Sequence, residues 1–236
     1  MEELGYLAGG LAHDFNNLLT GILGYASFLR NSLPEGSGGR DAAEQIERSA
    51  RRAAELTRRM LEWSRRGSPE PRPVEVRRLV EEAVGELSAA AAGNVEIRAD
   101  LRASRDRVMA DPDTLVRALI HLAANACEAM PGGGLLTIST EPFVSDGSVE
   151  FDDVPVPEGD YVSIRVTDNG RGIPPPIREK VCEPFFTTKP EEGMAGLGLP
   201  MVCRCVRRHG GFFRLESREG EGTTAQILLP IQPSTD

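Results

Sequence analysis

The stretch Gly9-Gly10-Leu11-Ala12-His13-Asp14-Phe15-Asn16-Asn17-Leu18-Leu19-Thr20 lies inside a longer run in which apolar or small residues recur at Leu4, Ala8, Leu11, Phe15, Leu18, Ile22, Tyr25 and Leu29. That alternation of four and three draws a stripe down one face of a long helix. A second series, Ala42, Ile46, Ser49, Ala53, Leu56, Met60 and Trp63, follows a Pro/Gly/Ser-rich break at 33–39 that no helix tolerates. Two stripes facing each other predict an antiparallel helical hairpin over residues 1–66. Such a hairpin buries only a narrow seam, and stripes of this length complete a four-helix bundle by pairing with a second copy. A homodimer is therefore expected.

At about 100° per residue, His13 lies almost opposite the centre of the first stripe, facing solvent on a rigid helix. Its neighbours on that outer arc, Gly9, Asn16, Asn17, Thr20 and Gly24, are small or polar and leave room for something large to dock. A lone exposed histidine is usually a surface residue, but this one has company. Asp14 is placed to orient the imidazole or take its proton, and Asn17, one turn on, offers an amide to a water.

Of the 236 residues, 40% are hydrophobic and 27% charged, as in soluble globular chains. No run approaches the roughly 20 apolar residues of a membrane span, and no signal-peptide pattern opens the chain, so a cytoplasmic location is expected. Residues 1–73 carry 10 basic and 10 acidic side chains, so the net charge of −9 lies wholly in 74–236. An acidic chain has no electrostatic footprint for nucleic acid. Cys127, Cys182, Cys203 and Cys205 lack zinc spacing and disulfide-scaffold density, and read as reduced thiols.

The segment Gly67-Ser68-Pro69-Glu70-Pro71-Arg72-Pro73 cannot continue a helix and reads as a linker at 67–73. Beyond it, over 74–236, the patterns predict helices near 76–92, 112–130 and 199–209 and strands near 95–102, 135–141, 161–168, 212–218 and 223–231, with Asp111-Pro112 opening the second helix. Pro142 to Asp160 is acidic and turn-rich and reads as a surface hairpin or loop. The sum is an α+β sandwich, a mixed sheet with helices on one face.

Four motifs in this half carry polar chemistry. On the helix at 112–130, Leu115, Leu119, Leu122, Ala126 and Met130 fill one face while His121, Asn125 and Glu128 share an arc off it, either a solvated face or a pocket wall. Asp168-Asn169-Gly170-Arg171-Gly172-Ile173 begins where a strand ends. A carboxylate there can accept from an exocyclic amine while glycines let the backbone approach a flat ring, and the same residues also suit an Asx-type turn. Glu183-Pro184-Phe185-Phe186-Thr187-Thr188-Lys189, followed by Gly193, Gly196 and Gly198, suits a lid over phosphates. Gly220-Glu221-Gly222-Thr223-Thr224 is a hairpin turn with hydroxyls and amides to offer.

The first stretch closely resembles the H-box of sensor histidine kinases, particularly nitrogen-regulation-like and hybrid kinases. In sequence order the other four resemble the N, G1, F and G2 boxes and closing Gly-Thr turn of the histidine-kinase ATP-binding domain, which shares its fold with Hsp90-type ATPases and DNA gyrase. The resemblance spans about residues 4–231. It implies that His13 is the phosphoacceptor, Asp14 the base assisting its attack on ATP, and Asn17 the residue positioning water when a partner is dephosphorylated. It implies that Asn125 ligates Mg²⁺, that Glu128 is the acidic catalytic member of its box, and that Asp168 reads the adenine amine beside Gly170 and Gly172. Lys189, Gly196, Leu197 and Gly198 would wrap the phosphates, and Thr223 or Thr224 would line the adenine end. The implied partner is a response regulator receiver domain.

The Walker-type phosphate loop is absent, which excludes that class of ATPase. His121 stands where the N-box commonly begins with asparagine, and Cys127 where a phosphate-contacting Arg or Lys is frequent. ATP binding is therefore expected to be weakened rather than lost. The alternative function is a catalytically degenerate scaffold that binds a regulator.

Overall fold

The computed structural model describes residues 18–64, 70–90, 94–188 and 196–232. His13, Asp14, Asn17 and Lys189 lie outside them. Helix α1, described over 18–32, turns back through a short connection into α2 (Gly38–Ser64). Ser37 opens α2, its Oγ accepting the Arg40 N–H at 3.3 Å, which satisfies one of the amides a helix start leaves unpaired.

The seam between these helices is not the predicted stripe. Leu19 and Ala26 are buried on α1, with Ala43, Glu47 and Ala50 on α2. Leu18, Tyr25 and Phe28 are 65%, 76% and 67% exposed, and Ile22, Leu29 and Ile46 are also exposed. Both stripes are displaced by one residue, about 100° around the helix. Short side chains at the contact let two helix backbones approach closely, so the alanines take the seam and the larger apolar residues stand outside it. Glu47 is held by Arg51 at 2.6 Å and Arg30 at 3.1 Å. The Arg51 hydrogen bond, with charge from both arginines, keeps the Glu47 carboxyl below the usual range.

The chain divides into two compact units, Met1–Gly67 with Phe185–Leu197, and Ser68–Pro184 with Gly198–Asp236. The second contains β1 (Arg72–Glu75), α3 (Val76–Ala90), β2 (Val95–Leu101), β3 (Arg107–Ala110), α4 (Pro112–Ala129), β4 (Gly134–Ser145), β5 (Glu150–Phe151), β6 (Val154–Pro155), β7 (Gly159–Asp168), α5 (Pro175–Arg178), α6 (Gly198–Arg208), β8 (Phe212–Arg218) and β9 (Gly222–Pro230). The main sheet runs β2-β4-β7-β9-β8, with β2 parallel to β4 and the other neighbours antiparallel. Alternate residues of β7, Val162, Ile164 and Val166, enter one core with Leu115, Leu119, Leu122, Ala126 and Met130 of α4 and its end. Each of these buried Val, Ile, Leu and Met side chains contributes about 1.5–3 kcal/mol. The expected apolar face of α4 is thus the buried one. Its start is also as read, with Asp111 accepting the Thr114 N–H at 3.1 Å and Pro112 in the first turn.

Two features differ from expectation. β1 and β3 form a separate antiparallel pair, so Arg72 and Pro73 of the segment read as linker stand in a strand. A short two-stranded ribbon tolerates a proline whose missing N–H faces outward. The stretch 142–160, read as a surface hairpin or loop, does hold a hairpin, β5–β6, but between the end of β4 and the start of β7, and it is not only a surface feature. Phe151 and Val156 of this hairpin are fully buried with Tyr161 and Leu228, forming a second small core. Arg214 lies over the Phe151 ring at 4.5 Å. No helix among the described residues is long and apolar enough to cross a membrane.

Candidate functional site

Asp168 ends β7 and is 7% exposed. Its Oδ1 accepts the Gly170 N–H at 2.8 Å, so the Asx-type turn and the buried acceptor are one structure. Burial pushes the Asp168 carboxyl above the usual range, opposed by backbone N–H bonds from Gly170 and Thr223. The strand register sets Asp168 opposite Thr223 and Thr167 opposite Thr224. Successive residues of a strand face opposite ways, so Thr223 shares the Asp168 face, whereas Thr224 bonds Thr167 on the other at 3.1 Å.

The turn after Asp168 is fastened on three sides. Asn169 Oδ1 accepts the Leu135 N–H at 2.8 Å. The Arg171 N–H donates to Ala129 O at 3.1 Å, and Arg171 O accepts the Gly220 N–H at 2.8 Å. Ser217 Oγ accepts the Ile173 N–H at 2.8 Å and donates to Gly222 O at 3.0 Å, with the Thr223 hydroxyl at 2.9 Å. Those three partners use the full capacity of a hydroxyl. Gly172 and Gly222 both hold positive φ, 66° and 105°. A Cβ on the first would run into Arg218 O, and on the second into Asp168 O.

Sequence reasoning missed Ser217 and Asn169 as parts of this site. The signal for Ser217 was the Gly220-Glu221-Gly222 turn, because the β8–β9 hairpin register pairs Ser217 with Thr223. On α4, Asn125 is exposed while His121 and Glu128 are half-buried, which keeps the polar arc at the surface of the helix. Gly198, the first residue of α6, lies beside this arc, its Cβ position 3.9 Å from His121 Nδ1. The N-terminal amides of α6 thus adjoin the α4 polar residues, an arrangement suited to anions.

In the segment Phe185–Leu197, the Phe185 N–H donates to Gly196 O at 3.0 Å, Gly196 holds φ 60°, and Leu197 is buried. The structure therefore brings Asp168, Gly170, Gly172 and Thr223 together, and sets Gly198 against the arc of His121.

A family model for the histidine kinase-, DNA gyrase B- and HSP90-like ATPases matches residues 110–233, and one for the His Kinase A (phospho-acceptor) domain matches residues 3–69. The chain therefore belongs to the histidine kinase-, DNA gyrase B- and HSP90-like ATPase family, and its phospho-acceptor domain followed by that ATPase domain is the arrangement of a sensor histidine kinase catalytic core. It is 36% identical to the sensor kinase CckA of Brucella abortus over 98% of its own length and 24% of that protein. Full-length ShkA in complex with AMPPNP shares the fold at TM-score 0.69 and 23% identity, over 98% of this chain and 47% of that one. The histidine kinase ThkA in complex with the response regulator protein TrrA matches at TM-score 0.62 and 24% identity, over 99% of this chain and 63% of that one. The chain thus spans only a part of the length of these proteins.

Proposed function

We propose that this chain is a protein histidine kinase: it binds Mg-ATP in residues 74–236, phosphorylates His13 on the hairpin of residues 1–66, and passes the phosphoryl group to an aspartate of a response regulator receiver domain. The observation that carries this reading is the buried Asp168 carboxylate, raised by burial, fixed by the Gly170 and Thr223 amides and set in a turn closed by Gly172 and Gly222. A carboxylate so held accepts from an exocyclic amine in a fixed plane, which selects adenine.

Asn125 offers an exposed side-chain oxygen on α4, a hard ligand of the kind Mg²⁺ takes beside phosphates and water. Mg²⁺, when bound, supplies neutralisation of the phosphate charge. Lys189, Gly196, Leu197 and Gly198 cover the phosphates. Asp14 takes the imidazole proton, His13 Nε2 attacks the γ-phosphorus in line, and the bond to the β-phosphate oxygen breaks to release ADP. Catalysis of this transfer to His13 rests mostly on positioning and on charge neutralisation by Mg²⁺ and Lys189.

The exposed apolar stripe of the hairpin supports a homodimer, and the solved pairing of ThkA with a regulator supports the receiver domain as partner. Asn17 positions water for the reverse activity, hydrolysis of the regulator's phosphoaspartate. The reading places the protein in the cytoplasm. Incubation with γ-labelled ATP and Mg²⁺ tests it: the label survives alkali, is lost in acid and is absent from His13→Ala, whereas acid-stable label on Ser or Thr would overturn the mechanism.

A further inference from the structure

His209, the residue after α6, is buried at 9% exposure, and both of its ring nitrogens are engaged. The Asp111 backbone N–H donates to Nε2 at 3.0 Å, and Nδ1 lies 2.8 Å from Cys205 O. A donor facing Nε2 requires a lone pair there, and a carbonyl oxygen facing Nδ1 requires a proton there. The ring is therefore the neutral Nδ1–H tautomer. The side chains beside it are committed elsewhere. The Asp111 carboxylate accepts the Thr114 N–H at 3.1 Å, and the Cys205 thiol, 3.7 Å from Nδ1, donates to Thr114 O at 3.5 Å.

The bond to Asp111 completes a helix start from outside the helix. Asp111 is the N-cap of α4, so its own N–H has no partner within the helix. In a capping box a Glu or Gln at the third helical position takes that N–H. Here the position is Thr114, whose hydroxyl donates instead to Asp111 O at 3.0 Å, and the acceptor comes from the end of α6. The His209 backbone is fixed in turn. The Gly211 N–H donates to Val206 O at 2.9 Å and the Gly210 N–H to Arg207 O at 3.1 Å, with Gly210 at φ 68°, the left-handed ending that closes a helix. A Cβ on Gly211 would run into Leu228 O of β9, so the last turn of α6 is seated on the sheet as well.

The contact of His209 with Asp111 is one end of a registered pair of helices. Moving forward along α4 and back along α6 from that contact, Thr114 meets Cys205 and His121 meets Gly198. The stretches 111–121 and 198–209 each span about 15–17 Å of helix, so the two antiparallel helices agree at both ends. A helix shifts along its axis as a rod, and a bond at its last turn therefore fixes where its first turn stands. We propose that His209 is a positioning residue for nucleotide binding: it sets the axial register of α6 on α4 and thereby holds the first amides of α6 beside the polar arc of His121. This role rests on the proposed nucleotide site, in which that arc and Gly198 face the phosphates.

Calorimetry of the 236-residue chain with a non-hydrolysable ATP analogue and Mg²⁺ tests this. His209→Phe keeps a planar ring but leaves the Asp111 N–H without its acceptor, so affinity should fall severalfold at a temperature where circular dichroism shows the fold intact. His209→Asn, too short to reach Asp111 yet able to donate to Cys205 O, should lose the same affinity and decides the matter where His209→Phe does not fold. His209→Gln, whose Oε1 can accept from Asp111, should recover most of the loss. Thr114→Val weakens the same helix start without touching the His209 bond, and should lower the melting temperature while leaving affinity unchanged. Unchanged affinity in His209→Phe or His209→Asn, no recovery in His209→Gln, or an equal fall in Thr114→Val would overturn the positioning role. Nitrogen NMR of the histidine rings gives a readout independent of nucleotide: His209 should show the Nδ1–H pattern at neutral pH, and an Nε2–H or doubly protonated pattern would overturn the bond to Asp111. No analogue binding by a wild type that shows the Nδ1–H pattern would instead overturn the nucleotide reading, and this role with it.

Discussion

In the helical hairpin the large apolar side chains stand outside and the seam is built from alanines and an ion-paired glutamate. In the sandwich the large apolar side chains are inside, and a polar group has been buried with them. Glu47 and Asp168 are almost equally hidden, 6% and 7% exposed, yet their carboxyls shift in opposite directions. Arginines hold Glu47 ionised, whereas burial works against the ionised form of Asp168. A carboxylate paired with arginines within the chain stays ionised, whereas one held only by backbone amides bears the cost of its burial, a setting that fits the proposed ligand acceptor.

Tyr25→Asp bears hardest on the first half of that contrast. Tyr25 is the most exposed of the large apolar residues in the described part of α1, and a carboxylate there would be buried in a dimer, at a cost of several kcal/mol. Light scattering should show a monomer with helical content retained; a persisting dimer would place the interface elsewhere. Asp168→Ala addresses the second half. Losing one charge-assisted hydrogen bond costs about 1.5–3 kcal/mol, so calorimetry should show ATP affinity reduced by roughly ten- to a hundredfold with the fold intact, and undiminished affinity would place the adenine elsewhere.

Ser217→Ala removes the partner of the Ile173 N–H and of Gly222 O. Leaving buried backbone groups unpaired costs about 1–3 kcal/mol, so stability and nucleotide affinity should fall together; a change in neither would show that the turn does not depend on this hydroxyl. The smallest effect is with pH. Glu47 has a lowered folded pKa, so its contribution is complete above the unfolded value of about 4.3 and is lost as pH falls through the folded one. Asp168 has a raised folded pKa, so acidification relieves its burial cost while removing the charge that adenine's amine needs. Nucleotide binding should therefore weaken at a higher pH than the hairpin does, and the step should vanish in Asp168→Asn. Coincident transitions would mean that the two carboxylates are not distinguished in this way.

The helix and strand limits of the sandwich were largely legible because its buried residues repeat at strict helical or alternating intervals, as along α4 and β7. The hairpin seam was not, because a pattern of apolar residues says which side chains avoid water without saying which neighbour covers them. Alanine made the choice, and its smallness is invisible to a reading that ranks positions by hydrophobicity. β1 was hidden by Pro73 and β3 by its length of four residues. A hairpin within 142–160 was legible, but the burial of Phe151 in it was masked by the acidic residues around it. The adenine-side reading of Asp168, Gly170 and Gly172 came from a family resemblance, while Ser217 could emerge only from the pairing of two strands. Roles for His13, Asp14, Asn17 and Lys189 rest on the sequence alone.

β7 and β9 lie side by side although 53 residues, 169 to 221, separate Asp168 from Gly222. The conformational entropy lost in closing so long a loop must be met before Thr223 can reach Asp168. Contacts of this kind form slowly in folding, and no fragment ending before β9 can carry the acceptor in its finished setting. The proposed nucleotide site is thus a reporter of the completed chain topology. A nucleotide bound there selects against every partly folded state, and at a hundred times its dissociation constant it deepens the native well by about 2.7 kcal/mol.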